Sequence, residues 1–289
     1  MSGKLKWLAS LFAGFVGLIL VLSVVVYFQS EKQIHRTFEA PLQSVFIPPD
    51  SAALAQGVHL ATNRCGFCHG PDLGGAVFID NPVLGRMVPP NLTPGHAADS
   101  YSDEELARLI RFGVKRDGEG VLLMPAQAFY HLSDQDLGSI ISHVRSIEPV
   151  ERTLPGTNIG PLGRILLATG ALVTEATRIT PDMPRAESAP PGPTPEYGRY
   201  IAKTVCAACH GQKLQGGDSG AAEAPSLVIV NHYTFEQFQR LMREGITRVD
   251  NQISPNLMPW PMMEQFTDYE VAGLYAYLNK FSGHDESED

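Results

Sequence analysis

Cysteine is scarce: the 289-residue chain holds four, all within two short motifs, so no disulfide framework can be drawn and no thiol is left over. Charge is sparse as well, at 18% of residues, and the basic side is the smaller, with 22 Lys and Arg against 31 Asp and Glu and a formal net charge of -9. A chain this acidic lacks the electrostatic footprint of a nucleic-acid binder; its acidity suits a partner with a basic patch and equally suits a surface that only keeps the protein soluble. Strand-like alternation of useful length is missing, which gives a sandwich or barrel little to be built from. Charge is wholly absent from Trp7 to Phe28, 22 residues in a row. That run is long enough to cross a hydrocarbon core of roughly 30 Å as a helix.

Lys4 and Lys6 precede this run, whereas Glu31, Lys32, Arg36 and Glu39 follow it with mixed sign. The positive-inside rule therefore places the N-terminus in the cytoplasm and the rest of the chain outside it. A cleaved signal peptide competes with a retained anchor. Its apolar core, however, is usually about 7 to 15 residues long, and no small-x-small site closely follows Phe28. The expectation is an anchor over residues 1–30 in a bacterial cytoplasmic membrane, with the remainder on the periplasmic side. The length exceeds one domain of roughly 100 to 200 residues, so two modest domains are expected. An apolar content of 44% supports a packed core.

The four cysteines form Cys65-Gly66-Phe67-Cys68-His69 and Cys206-Ala207-Ala208-Cys209-His210. Cys-x-x-Cys-His is the attachment pattern of c-type haem. Two thiols three positions apart each form a thioether with one porphyrin vinyl group, and the following His then lies under the iron. A zinc site also uses Cys-x-x-Cys, but these pairs lie 141 residues apart and zinc does not account for both histidines. A thioredoxin-like redox pair needs a βαβ pattern around it, and neither copy has one.

The copies agree well beyond the motif. Gly57 and Gly198 stand eight residues before the first Cys, and Leu73 and Leu214 four after the His. Ser102-Asp103-Glu104-Glu105 and Thr234-Phe235-Glu236-Gln237 are capping-box patterns, each opening a short helix that ends near Gly113 or Gly245. Met124-Pro125 and Met258-Pro259 follow, and nine residues after each Met comes another cap, Ser133 or Thr267. Closing helices carry core stripes at Leu137, Ile140, Ile141 and Val144, and at Val271, Leu274, Tyr275 and Leu278. The intervening segment 151–194 is proline-rich, yet Leu162 to Val173 is apolar and can form a short helix with its own docking surface.

This order of a helix into Cys-x-x-Cys-His, a proline-bearing loop, a short helix, a Met-Pro loop and a final helix resembles class I cytochromes c. The resemblance covers residues 50–150 and 195–283. It implies an all-α fold: two tandem class I domains after one N-terminal transmembrane helix, joined by the linker 151–194. It also implies two covalently bound haems c, with Cys65, Cys68, Cys206 and Cys209 as thioether attachments and His69 and His210 as proximal iron ligands. A loop proline carbonyl, Pro90 or Pro225, would orient each proximal His, and Asn91, Thr93 or Ser226 would reach a propionate. Ordinary turn chemistry is the competing use of those loop residues.

A methionine as sixth ligand raises the potential of a c-type haem and leaves no open iron site. Met124 and Met258 are the candidates, because they occupy corresponding places 55 and 48 residues after the His. Met87 competes with the first, and Met262 and Met263 with the second, but none of these has a counterpart in the other copy. Distal histidines are the other alternative: His96, His131 and His143 in the first copy, His232 in the second. The chain is similar to the multihaem cytochrome c subunits of membrane-bound dehydrogenases. Such a carrier would take electrons from a dehydrogenase or quinol-oxidising complex and pass them to an oxidase or soluble cytochrome, either freely or as a fixed subunit of a respiratory or dehydrogenase complex. Its residues would be ligands with no acid-base catalytic role. A dihaem peroxidase with one exchangeable haem site is the alternative.

Overall fold

The computed structural model describes residues 3–180, 182–218 and 223–283. The first helix, α1 (Gly3–Ile34), contains Lys6–Ile34, the one segment among the described residues long and apolar enough to cross a membrane. Its apolar side chains, Phe12, Phe15 and Phe28 among them, are left uncovered by the rest of the chain.

The N-terminal half follows with α2 (Ser51–Arg64), α3 (Gly66–His69), α4 (Asp103–Phe112), α5 (Ala126–Phe129) and α6 (Asp134–Ser146). Local chemistry sets the ends. The Asp50 side chain caps α2, Ser102 and Glu105 form a reciprocal capping box on α4, and Gly113 closes α4 in the left-handed region at φ 64°. Ser133 caps α6. α2 crosses α6 at Gly57, where a Cβ would lie 2.0 Å from the Ser139 carbonyl oxygen. The absent side chain lets the two backbones touch. Leu60, Ala61, Leu106, Leu137 and Ile141 fill the core beneath that crossing.

The middle segment folds back onto this half. β1 (Ile79–Asn81), β2 (Gly85–Met87) and β3 (Asn158–Ile159) form an antiparallel sheet in that order, with Ile79 opposite Met87 and Gly85 opposite Ile159. Strands of two or three residues are too short to show a period of two, which is why the sequence carried no sign of them. The apolar stretch expected to form a helix becomes α7 (Pro161–Thr169), and its docking partner is α1. Arg164 donates to Ser30 Oγ and Glu31 Oε1, both at 2.8 Å, and its guanidinium lies 4.6 Å from the Tyr27 ring centroid.

The C-terminal half repeats the plan. α8 (Pro195–Ile201) runs through a π-helical turn, Ala202–Cys206, into α9 (Ala207–His210). Then come α10 (Phe235–Glu244), α11 (Trp260–Met263) and α12 (Asp268–Leu278), with β4 (Gly217–Asp218) and β5 (Glu223–Ala224) as a small antiparallel pair. Thr234 with Gln237 and Thr267 with Glu270 form capping boxes, and Gly245 ends α10 at φ 69°. α8 crosses α12 at Gly198, whose Cβ would stand 2.0 Å from the Gly273 carbonyl oxygen. Tyr200, Ile201, Phe238, Val271 and Leu274 are buried in this half's core.

Candidate haem-binding sites

Each Cys-x-x-Cys-His motif forms a tight helical turn at the end of its half's first helix. Cys65 N–H donates to Ala61 O at 2.8 Å and His69 N–H to Cys65 O at 2.9 Å. Burial pushes the Cys65 thiol up to about 11 and the Cys206 thiol up to about 12. This is the reverse of a redox-exchange cysteine, whose thiolate is stabilised. Cys65 and Met124 border one buried cluster, and Cys206 and Met258 border the corresponding one. Among the described residues no group of three or more His, Cys, Asp or Glu side chains is gathered round one point, so the two cysteine pairs do not assemble a zinc cage.

His69 Nδ1 lies 2.8 Å from Pro90 O, and His210 Nδ1 lies 2.7 Å from Pro225 O. A carbonyl oxygen only accepts, so Nδ1 carries the proton in both rings and Nε2 keeps its lone pair. Burial holds both imidazoles below the usual histidine value, against a smaller opposing pull from the proline carbonyl. A neutral, oriented imidazole with Nε2 free to donate is what a metal ligand requires. Two cysteines and one such histidine at each motif form a donor set that fits haem c.

The loop after each motif is built alike. Leu73 (φ 55°) and Leu214 (φ 56°) sit in the left-handed region and are fully buried. The conformation costs about 1–3 kcal/mol in a non-glycine residue. It persists in both halves because it completes a bridge. His69 O accepts from Gly75 N–H at 2.7 Å and Leu73 O from Leu92 N–H at 2.9 Å; His210 O accepts from Gly216 N–H and Leu214 O from Leu227 N–H, both at 2.9 Å. These bonds hold the proline loop beside the histidine turn. Asn91 and Thr93 spend their polar atoms inside the chain: Asn91 Nδ2 donates to Val150 O at 2.7 Å, and Asn91 Oδ1 accepts from Thr93 Oγ1 at 2.7 Å. Ser226 caps the turn that follows it, accepting from Val228 N–H at 3.3 Å. These are loop and turn contacts within the chain.

The Met-Pro loops share one backbone conformation. Met124 O accepts from Ala126 N–H at 2.7 Å with Pro125 at φ -76°, ψ 60°, and Met258 O accepts from Trp260 N–H at 2.7 Å with Pro259 at φ -77°, ψ 57°. These are inverse γ-turns. Met263 is a buried core residue at the end of α11, in the place Phe129 takes in α5. Met87 lies in strand β2. His131 has both ring nitrogens engaged, Nε2 with Gln212 Oε1 at 3.1 Å and Nδ1 with Ala186 N–H at 2.8 Å. His143 lies on α6, His96 is 4.0 Å from the Glu151 carboxylate, and His232 is exposed.

Sequence reasoning missed the surface that joins the halves. His59 Nε2 lies 2.9 Å from both Glu270 carboxylate oxygens, and Glu270 Oε2 also accepts from Thr267 N–H at 2.7 Å. Tyr200 O–H donates to Asp136 Oδ2 at 2.5 Å and accepts from Ser133 N–H at 3.0 Å. Arg64 Nη2 donates to Thr204 Oγ1 at 3.4 Å. Burial and the neighbouring Cys65 and Cys209 push the Cys68 thiol up to about 12, so the two motifs lie close across this surface. The one signal in the sequence was position: Arg64 directly precedes the first motif.

A family model described as cytochrome c oxidase, cbb3-type, subunit III, matches residues 52–144 and again 193–278. The chain is similar to the fructose dehydrogenase cytochrome subunit of Gluconobacter japonicus, 33% identical over 130 residues that cover 39% of this chain and 26% of the relative. It is also similar to the cytochrome c subunit of alcohol dehydrogenase (quinone) of Gluconobacter oxydans (strain 621H), 29% identical over 110 residues, 35% of this chain and 23% of that relative. The chain thus spans about a quarter of the length of each.

Proposed function

The chain belongs to the class I cytochrome c family described as cytochrome c oxidase, cbb3-type, subunit III, and from that premise we propose that it is a membrane-anchored dihaem electron-transfer subunit. Membership implies covalently bound haem c, which supplies a one-electron Fe(III)/Fe(II) couple. The proposal is that there are two such groups, one in each of two tandem domains, 50–150 and 195–283, with 151–194 between them and residues 1–30 as the anchor. Cys65 and Cys68, and Cys206 and Cys209, are the attachment points. His69 and His210 offer Nε2 to iron while Pro90 and Pro225 hold their rings, and Met124 and Met258 give the soft sixth ligand that raises the potential.

One observation carries the reading: a proton-fixed imidazole, a strained leucine bridge and a Met-Pro inverse γ-turn recur together in both halves. The likeness to dehydrogenase cytochrome subunits favours a dehydrogenase or quinol-oxidising complex as donor and an oxidase or soluble cytochrome as acceptor, with the haem domains on the periplasmic side of a bacterial cytoplasmic membrane. The test is to purify the full chain from membranes in mild detergent, count haem per polypeptide by the pyridine haemochrome spectrum, and identify co-migrating subunits. Two haems per chain, no carbon monoxide binding to the reduced protein and a dehydrogenase partner are expected. One haem per chain, or ready carbon monoxide binding at either iron, overturns the proposal.

A further inference from the structure

Arg64 directly precedes a haem-attachment motif, and no carboxylate among the described residues pairs with it. The residue is 7% exposed, yet among the described residues it makes no ion pair. Nη1 donates to the neutral Asn63 Oδ1, Nη2 donates to the neutral Thr204 Oγ1 at 3.4 Å, and Nε has no partner. A buried guanidinium normally finds a carboxylate, because its desolvation is otherwise uncompensated. The carboxylates on this surface hydrogen-bond to other side chains, Glu270 to His59 and Asp136 to Tyr200.

The position of the charge is as telling as its isolation. Arg64 directly precedes Cys65, and Thr204, to which it reaches across the join between the halves, stands two residues before Cys206. Arg64 therefore lies against both motifs. Its field is felt at both, since it opposes the upward push of burial on the Cys65 and Cys206 thiols alike. The cysteines would bond the vinyl groups of the porphyrin, which are separate from its anionic propionates.

We propose that Arg64 is a fixed positive charge shared by both haem sites, holding both irons toward the reduced state. This rests on the dihaem reading above. Taking up one electron lowers the charge of an iron site by one, and a nearby cation in a low-dielectric setting favours that state. One buried charge beside both motifs lifts both couples together. Arg64 acts through space and through the position of Thr204, and it is no ligand.

The experiment is a spectroelectrochemical titration of the full, haem-loaded chain, wild type against Arg64→Gln and Arg64→Lys. Arg64→Gln is expected to lower both midpoint potentials, each by at least a tenfold change in its one-electron equilibrium, about 59 mV. The shift should persist at high salt, because a buried charge is poorly screened, and Arg64→Lys should retain most of both potentials. Unchanged potentials in Arg64→Gln, a change at one haem alone, loss of the shift at high salt, or a fall in Arg64→Lys as large as in Arg64→Gln each overturn the shared-charge role. The methionine-type optical band, retained in the variants, reports that the ligands are intact. A chain with no haem band would sink the dihaem reading itself, whereas two bands with unmoved potentials sink only the role of Arg64.

Discussion

His69 and His210 surrender one ring nitrogen to a proline carbonyl, and that single bond decides the tautomer and leaves Nε2 with its lone pair. The motif spacing made the cysteines and these histidines legible, because thioether chemistry demands fixed offsets along the chain. Arg64 and Glu270 were not legible, since what distinguishes them is burial between two halves more than a hundred residues apart in sequence. The methionines are intermediate: their repeat position singled out Met124 and Met258, and in the structure both precede matched inverse γ-turns. Replacing Met124 by Ala is expected to open one iron to carbon monoxide and lower one of two potentials, with Met258→Ala doing the same at the other. A carbon monoxide difference spectrum of each reduced variant checks this, and a variant that binds none would place the sixth ligand elsewhere.

At the scale of elements, the helices were readable because caps and apolar stripes are local. Ser102, Thr234, Ser133 and Thr267 all cap the helices their sequence patterns announced. The short strands were not, since two or three residues hold no period, and the crossings were only hinted at by paired glycines. Gly57 and Gly198 show why those glycines match: each marks the closest approach of a first helix to a last one. Alanine at either place meets a backbone oxygen that cannot step aside. Gly57→Ala and Gly198→Ala are each expected to cost about 1–3 kcal/mol. Chemical denaturation against wild type measures it, with Gly156→Ala, at an open site, as the near-neutral control. Equal midpoints for all three would refute the close-crossing account.

Across the whole molecule, the join between the halves is a polar seam, and the Glu270 carboxylate is its pivot. Burial alone would raise its pKa, but the hydrogen bonds from His59 and from the Thr267 amide outweigh that and hold it below the usual glutamate value. A carboxyl depressed in the folded state stabilises fully above its unfolded pKa, and that contribution is lost as pH falls through the folded value. Wild type should therefore lose stability on the acid side of the ordinary glutamate range. Glu270→Gln should lose about 1.5–3 kcal/mol at neutral pH and show a flatter acid limb. Thermal melts from neutral to acid pH decide it; parallel curves for the two proteins would remove Glu270 from the account.

Arg164 also ties the segment between the halves to the last turns of α1, and Arg152 ties it to the loop after His69 through Asp72 at 2.6 Å and Gly75 O at 2.7 Å. With α1 in a bilayer, this bracing removes the slack that a peptide leash would give. The half next to the anchor would then meet its partners over a shorter radius than a free leash allows, by lateral diffusion if they too are embedded or by collision from solution if they are not.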